Sequence, residues 1–403
     1  MNPNLDRLQD YPFQRMAALK AGVQGNPDFD HVALSIGEPQ HAPPDFVLNM
    51  LTNAEQLKQD LTAYPATRGE GFLREAIAAW IQRRYAATAD PERQILPVSG
   101  TREALFSIAQ AVMSGDPNAI VIQPNPFYQI YEGAALLANA QPYYLACDQT
   151  SDYLPDFTRI SEDVWRRCEL LFLCSPGNPT GRNIDTPTLS WLLEQADRYD
   201  FVIAADECYS EIYLADPAPG LLQVAAEQGR ADFNRAVVFH SLSKRSNLPG
   251  LRSGFVAGDS EVLAKYFAYR TYQGCAMPLQ HQRASAAAWH DEEHVNANRA
   301  AYRDKFAAVT PILESVAKLQ QPEGGFYHWL PVPGDDQAFA RDLFHDCNIT
   351  VLPGSFLGRD PSTLDPAQTQ GNPGAGHIRV AWVAQPKQCV AAAQRLAKWW
   401  QSR

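Results

Sequence analysis

Four short apolar runs constrain this chain most: Ala119-Ile120-Val121-Ile122, Leu170-Leu171-Phe172-Leu173, Phe201-Val202-Ile203-Ala204 and Ala236-Val237-Val238-Phe239. Each is bounded by Pro, Gly, Asn or Asp turn signals and reads as a buried strand. Longer stretches with helical spacing separate them, such as Thr186–Arg198. Strands alternating with helices predict an α/β fold around a mostly parallel sheet covered on both faces. Ligands of such folds sit beyond the carboxyl ends of the strands. The residues that follow each run are therefore where chemistry is sought.

The C-terminal part has a different pattern. Helical spacing runs through Val295–Lys318 and Pro386–Ser402, and short strand-like runs cover Gly325–Leu330 and His377–Ala381. This predicts a smaller α+β domain. The expected division is an N-terminal segment over residues 1–45 that contributes to the small domain and to dimer contacts, a large α/β domain over 46–290, and the small domain over 291–403. Asp360–Gly376, rich in Pro, Gly, Thr and Gln, reads as a surface loop.

The chain has 403 residues, enough for a large core, with 45% hydrophobic and 20% charged residues, as in globular proteins. Its net charge of -11 argues against a nucleic-acid partner or an anionic membrane surface. No apolar run approaches the roughly 20 residues of a membrane span. Met1–Asp6 has neither the basic nor the apolar region of a signal peptide. The seven cysteines are an odd number with no Cys-x-x-Cys pair, which suits reduced thiols in a cytoplasmic protein. The nine histidines lack metal-ligand spacing, so no metal is expected.

Ser241-Leu242-Ser243-Lys244, followed by Gly250-Leu251-Arg252-Ser253-Gly254, places a lysine beside two hydroxyls and an arginine. A lysine amine forms an imine with an aldehyde. Hydroxyls, a guanidinium fork and backbone N–H groups suit a phosphate dianion. Alone, the stretch reads as a solvated basic loop. Other strings supply what an aldehyde-bearing aromatic phosphate needs. Asp206 ends a strand, where it serves either as a helix N-cap or as the partner of a protonated ring nitrogen. Tyr209, three residues on, is either a core tyrosine or a partner for a ring oxygen. Cys174-Ser175-Pro176-Gly177-Asn178-Pro179-Thr180-Gly181 is either a turn or a loop presenting the Asn178 amide. Ser99-Gly100-Thr101-Arg102 leads into a helix whose first N–H groups suit phosphate. Pro126-Phe127-Tyr128 offers an aromatic ring either for the core or for stacking.

These strings, in this order, resemble the aspartate-aminotransferase-type family of pyridoxal-phosphate enzymes, fold type I, class I/II. The similarity spans essentially the whole chain. It implies pyridoxal 5'-phosphate as cofactor and Lys244 as the catalytic lysine that holds it as an imine. It implies that Ser241, Ser243 and Arg252 hold the phosphate with N–H groups around Gly100, Thr101 and Arg102. It pairs Asp206 with the pyridine nitrogen and Asn178 and Tyr209 with the ring oxygen, and stacks Tyr128 on the ring. Tyr64 in Ala63-Tyr64-Pro65-Ala66-Thr67-Arg68-Gly69 matches a tyrosine that reaches the neighbouring subunit's phosphate, so a homodimer with shared sites is implied. Arg379 matches the arginine that clamps the substrate α-carboxylate, and Gly37 lies in a segment whose glycine N–H assists there. Ser253 departs from the family, which usually has an apolar residue at that position.

Within the family, Leu8–Phe13, Ile36–His41 and Tyr272–Pro278 resemble the bacterial N-succinyl-L,L-diaminopimelate aminotransferases. That implies a lysine-biosynthesis step by the diaminopimelate route, with glutamate and 2-oxoglutarate as the exchanging pair. A distal succinyl carboxylate calls for a second cation, for which Arg68 and Arg15 are candidates. The competing readings are another class I/II aminotransferase (aspartate, alanine, acetylornithine or aromatic) and a carbon–sulfur lyase. A regulator using this fold would carry an added DNA-binding domain, and no basic helical extension precedes residue 35.

Overall fold

The computed structural model describes residues 1–363 and 371–403, so part of the expected 360–376 loop lies outside the described residues. The strands in chain order begin with β1 (Val32–Ala33). They continue with β2 (Ile95–Val98), β3 (Ile120–Asn125), β4 (Gln141–Ala146), β5 (Cys168–Cys174), β6 (Val202–Asp206), β7 (Ala236–Ser241) and β8 (Gly254–Gly258). β2 to β8 form one seven-stranded sheet in the order β2-β8-β7-β6-β5-β3-β4. The β3–β4, β3–β5, β5–β6 and β6–β7 pairs are parallel; β8 runs antiparallel to both β7 and β2. All four expected runs are strands of this sheet, and Thr186–Tyr199 is a helix, capped by Asp185.

Successive side chains of a strand point to opposite faces. Leu171, Leu173, Ile203, Ala205 and Val238 accordingly join one core, and Leu170, Phe172, Ala204, Val237 and Phe239 join another on the far face. Each fully buried Val, Leu, Ile or Phe contributes about 1.5–3 kcal/mol, so both faces must be covered. That explains why these strands read as unbroken apolar runs.

The small domain adds β9 (Tyr327–Pro331), β10 (Ile349–Thr350), β11 (Leu352–Pro353) and β12 (His377–Ala381). β11, β12 and β9 form an antiparallel sheet, and β1 pairs in parallel with β10. Val32 and Ala33 are thus held in register with Ile349 and Thr350. Helices Glu293–Glu314, Asp336–Cys347 and Pro386–Gln401 contribute side chains to a separate core that includes Val309, Leu343 and Leu396. The first ends sooner than the sequence suggests, with Ser315 as its C-cap. Pro386 opens the last at the first position, where a missing N–H costs nothing. Among the described residues, no helix is long and apolar enough to cross a membrane, and no cluster of three or more His, Cys, Asp or Glu could hold a metal ion.

Candidate active site

The carboxyl ends of β2, β3, β5, β6 and β7 converge on one edge of the sheet, and β8 starts there. A cavity of about 360 Å³ lies at that edge. Thr101 and Arg102 follow β2, Tyr128 follows β3, Asn178 follows β5, Asp206 ends β6, Ser241 ends β7, and Arg252 precedes β8; all line the cavity. Tyr209, Ser243, Lys244, Gly37 and Arg379 complete the wall. Residues far apart in sequence meet because parallel strands deliver all their ends to one side.

Lys244 sits in a short helix, Leu242–Arg245, begun by Ser241, whose hydroxyl accepts from the Ser243 N–H at 3.1 Å. Its amine donates to the Gly37 carbonyl. Burial lowers its pKa from 10.5 to about 8. Gly37 has no room for a side chain, since a Cβ there would strike the Tyr327 hydroxyl.

Asp206 is buried, and burial pushes its carboxyl pKa up. The Cys208 thiol, the Tyr131 hydroxyl at 2.7 Å and the Cys208 N–H at 3.2 Å oppose that shift as donors. The Tyr131 ring stacks on Phe172, which fixes the hydroxyl and so the carboxylate. Tyr209 shares a hydrogen bond with Tyr327, oxygen to oxygen at 2.8 Å, and burial raises its pKa well above the usual value.

Arg379 is buried on β12. It donates to the Asn178 side-chain oxygen at 2.9 Å and to the Ser35 carbonyl at 2.7 Å. Its Nε is buried with no acceptor among the described residues. Neither acceptor carries a charge, so the guanidinium is held in place but not neutralised.

Three residues expected at the site, Gly100, Arg15 and Arg68, sit differently. Gly100 does not line the cavity, and its N–H is already given to the Val98 carbonyl at 2.8 Å. Its contribution is a positive φ of 94° and the lack of a Cβ, which would otherwise collide with the Arg252 guanidinium. Thr101 and Arg102 head the helix Thr101–Val112, where N–H groups have no intrahelical acceptor. Tyr64, expected at the neighbouring subunit's phosphate, lies outside its own chain's cavity and is fully exposed. Arg15 packs over Phe356, its centroid 4.1 Å away, and Arg68 donates to the Glu92 carbonyl at 2.7 Å and covers Phe267. Neither arginine lines the cavity of its own chain. Ser253, the departure from the family pattern, is buried and accepts a hydrogen bond from Ser285 at 2.7 Å. The extra hydroxyl is matched from the helix Leu279–His290.

Sequence reasoning missed Tyr11, Gln129, Leu357, Tyr131 and Tyr327. Tyr131 and Tyr327 look like core aromatics in sequence. Leu357 reaches the cavity because its carbonyl accepts from the Phe127 N–H at 3.1 Å and Asn125 grips both backbone groups of Arg359, at 2.9 and 3.0 Å. The Arg359 fork then closes on Glu132 at 2.9 and 2.7 Å.

The family model for aminotransferase class I and II matches residues 30–392. The chain belongs to this family. As an aminotransferase of this kind it uses pyridoxal phosphate. The residues fit that group: a buried amine of lowered pKa, a buried acid that makes no salt bridge among the described residues, and the Arg252 guanidinium, close to which Gly100 leaves no side chain, serve one cavity. A crystal structure of an aminotransferase from Neisseria meningitidis is 46% identical, with a TM-score of 0.93 and 99% and 100% of the two chains covered. A solved structure of a probable N-succinyldiaminopimelate aminotransferase from Thermus thermophilus is 26% identical, with a TM-score of 0.83 and coverage of 96% and 99%. The LL-diaminopimelate aminotransferase of Moorella thermoacetica is 29% identical over 92% of this aminotransferase and 90% of its own length. The 4-dedimethylamino-4-oxo-anhydrotetracycline transaminase OxyQ of Streptomyces rimosus is 32% identical, with coverage of 96% and 99%.

Proposed function

We propose that this aminotransferase exchanges the amino group between N-succinyl-L,L-2,6-diaminopimelate and 2-oxoglutarate, giving N-succinyl-2-amino-6-oxopimelate and glutamate, reversibly. This is a step of lysine biosynthesis by the diaminopimelate route. The observation that carries the transfer chemistry is Lys244, a buried amine in one cavity with Asp206 and an unneutralised Arg379. The substrate reading is supported by the resemblance of Leu8–Phe13, Ile36–His41 and Tyr272–Pro278, and by the Thermus and Moorella relatives.

Pyridoxal phosphate, when bound, supplies an electron sink that stabilises negative charge at the substrate α-carbon. Arg379 binds the α-carboxylate bidentately, and Asn178 and the Ser35 carbonyl hold the fork at its fixed angle. Lys244, once its amine is free, removes the α-proton and redelivers it as general base and then acid. A pKa of about 8 leaves a usable neutral fraction of that amine near neutrality. Asp206 would pair with the pyridine nitrogen, and a proton there would offset the burial that pushes its carboxyl up. Asn178 and Tyr209 would hold the ring oxygen, Tyr128 would stack on the ring, and Ser241, Ser243, Arg252 and the Thr101 and Arg102 N–H groups would receive the phosphate. Gly37, with no side chain, lets the α-carboxylate approach.

A homodimer with shared sites belongs to this proposal. Tyr64 is fully exposed in the single chain, and a place at the neighbouring subunit's phosphate accounts for such an exposed aromatic. Arg68 on the same segment is then placed to act across the interface. The domain limits 1–45, 46–290 and 291–403 and a cytoplasmic location complete the proposal.

The test is a panel of amino donors and oxo-acid acceptors, including succinylated and acetylated diaminopimelate-pathway compounds. The succinylated compound should give the highest kcat/KM. Equal turnover of plain aspartate sinks the substrate assignment. Stoichiometric conversion of the bound cofactor to its amine form by glutamate separates a transferase from a carbon–sulfur lyase.

A further inference from the structure

One stretch of chain, Gly37 to His41, holds Lys244 at both ends. The lysine amine donates to the Gly37 carbonyl. The lysine main chain is held through Asn298, in the helix Glu293–Glu314. The Asn298 amide nitrogen donates to the Lys244 and Arg245 carbonyls at 3.1 and 3.2 Å. Those carbonyls end the short helix Leu242–Arg245 and have no donor within it. Carbonyls only accept, so the orientation of the amide is fixed and its oxygen faces away from them. That oxygen accepts from His41 Nδ1 at 2.9 Å and from the Asn247 side chain at 2.8 Å. Both N–H groups and both lone pairs of the buried Asn298 amide are therefore in use. His41 must carry a hydrogen on Nδ1. Its Nε2 is buried without a partner among the described residues, and its ring lies against Tyr302 with centroids 4.6 Å apart. Neither His41 nor Asn298 lines the cavity.

We infer that Asn298 and His41 are positioning residues for the proton transfer at Lys244. They tie the lysine main chain to the segment that offers Gly37 to the substrate carboxylate, so movement of that segment reaches Lys244 at its backbone as well as at its amine. The inference rests on the transaminase reading, in which Lys244 moves the α-proton.

The experiment follows single turnovers of the holoenzyme with L-glutamate and with α-deuterated L-glutamate. Wild type, His41→Leu, His41→Asn, Asn298→Ala and the double variant His41→Leu/Asn298→Ala are compared. In Asn298→Ala the isotope-sensitive step should slow about 10- to 100-fold, the scale of a small misplacement of a reacting group, with KM within about twofold. His41→Leu should slow the same step about 5-fold, the size of one lost hydrogen bond. His41→Asn keeps an N–H near the Nδ1 position and should restore most of the rate. The double variant should be no slower than Asn298→Ala, because both residues act through one bond. Hydrogen exchange read by mass spectrometry should be faster at amides 242–248 in His41→Leu and unchanged in His41→Asn. Losses that add in the double variant, an unslowed isotope-sensitive step, or equal behaviour of the two His41 variants overturns the inference and leaves the transaminase reading standing. If Asn298→Ala does not fold, the two His41 variants decide the matter. A wild type that does not turn over glutamate sinks the transaminase reading and the inference with it.

Discussion

Lys244 and Lys305 are both buried, and burial lowers both to a pKa of about 8, yet they occupy very different surroundings. Lys244 stands at the carboxyl edge of the large sheet, in a cavity, with the Gly37 carbonyl as its acceptor. Lys305 lies in the helix Glu293–Glu314 of the small domain, and its amine donates to the Trp382 and Val383 carbonyls at 3.1 and 3.4 Å. It does not line the cavity. Burial tunes an amine in either place. Only the convergence of strand ends makes that tuning available to a substrate, so a shifted pKa marks chemistry where there is also space and a partner.

The comparison breaks most sharply under substitution. Lys244→Ala should lose at least about 10³-fold in kcat, the upper range for removing a general acid–base, together with the visible absorption of the lysine-bound cofactor. Lys305→Met should leave turnover per folded molecule within about twofold, because nothing in the cavity changes. A large kcat loss from Lys305→Met, with cofactor content intact, would show that the two lysines are coupled. Arg379→Gln should cost about 10²-fold in kcat/KM by removing the fork that orients the α-carboxylate. Stopped-flow measurements with glutamate check this.

Two smaller effects sharpen the contrast. Cofactor uptake by the apoenzyme needs neutral Lys244. Its rate should therefore rise with pH around a midpoint near 8, well below the ordinary lysine value of 10.5. A midpoint near 10.5 rejects burial as the tuning agent. Lys305→Met leaves two carbonyls without their donor and should cost about 1–3 kcal/mol in denaturant unfolding. The pH sign follows from its lowered folded pKa. Between about 8 and 10.5 the unfolded chain binds the extra proton, so Lys305 makes stability rise with pH across that window. The wild-type-minus-variant stability difference should show this slope, and a flat difference refutes it.

Much of the site was legible because its motifs are local. Ser241 through Lys244 is a strand end running into a helix, and such a string keeps its meaning wherever the strand is placed. Asp206 was legible for the same reason. Tyr131 was not: a tyrosine three residues after Tyr128 is an ordinary core residue until Asp206 is seen beside it. Arg102 was legible only for its N–H, since the fate of its guanidinium depends on Tyr11, a residue from the far N-terminus. Gly100 was assigned a donor that Val98 had already claimed.

The sequence alone determined the alternation of strands and helices, the two-faced burial of β3, β5, β6 and β7, and the place of the Lys244 amine just past a strand end. These rest on side-chain period and backbone chemistry, which act over a few residues. Tertiary structure decided which cations stay unneutralised, which polar atoms are already paired, and which arginines reach the cavity. Those depend on groups brought together across the chain, because charge and hydrogen bonding act through space and a list of neighbours in sequence does not contain them.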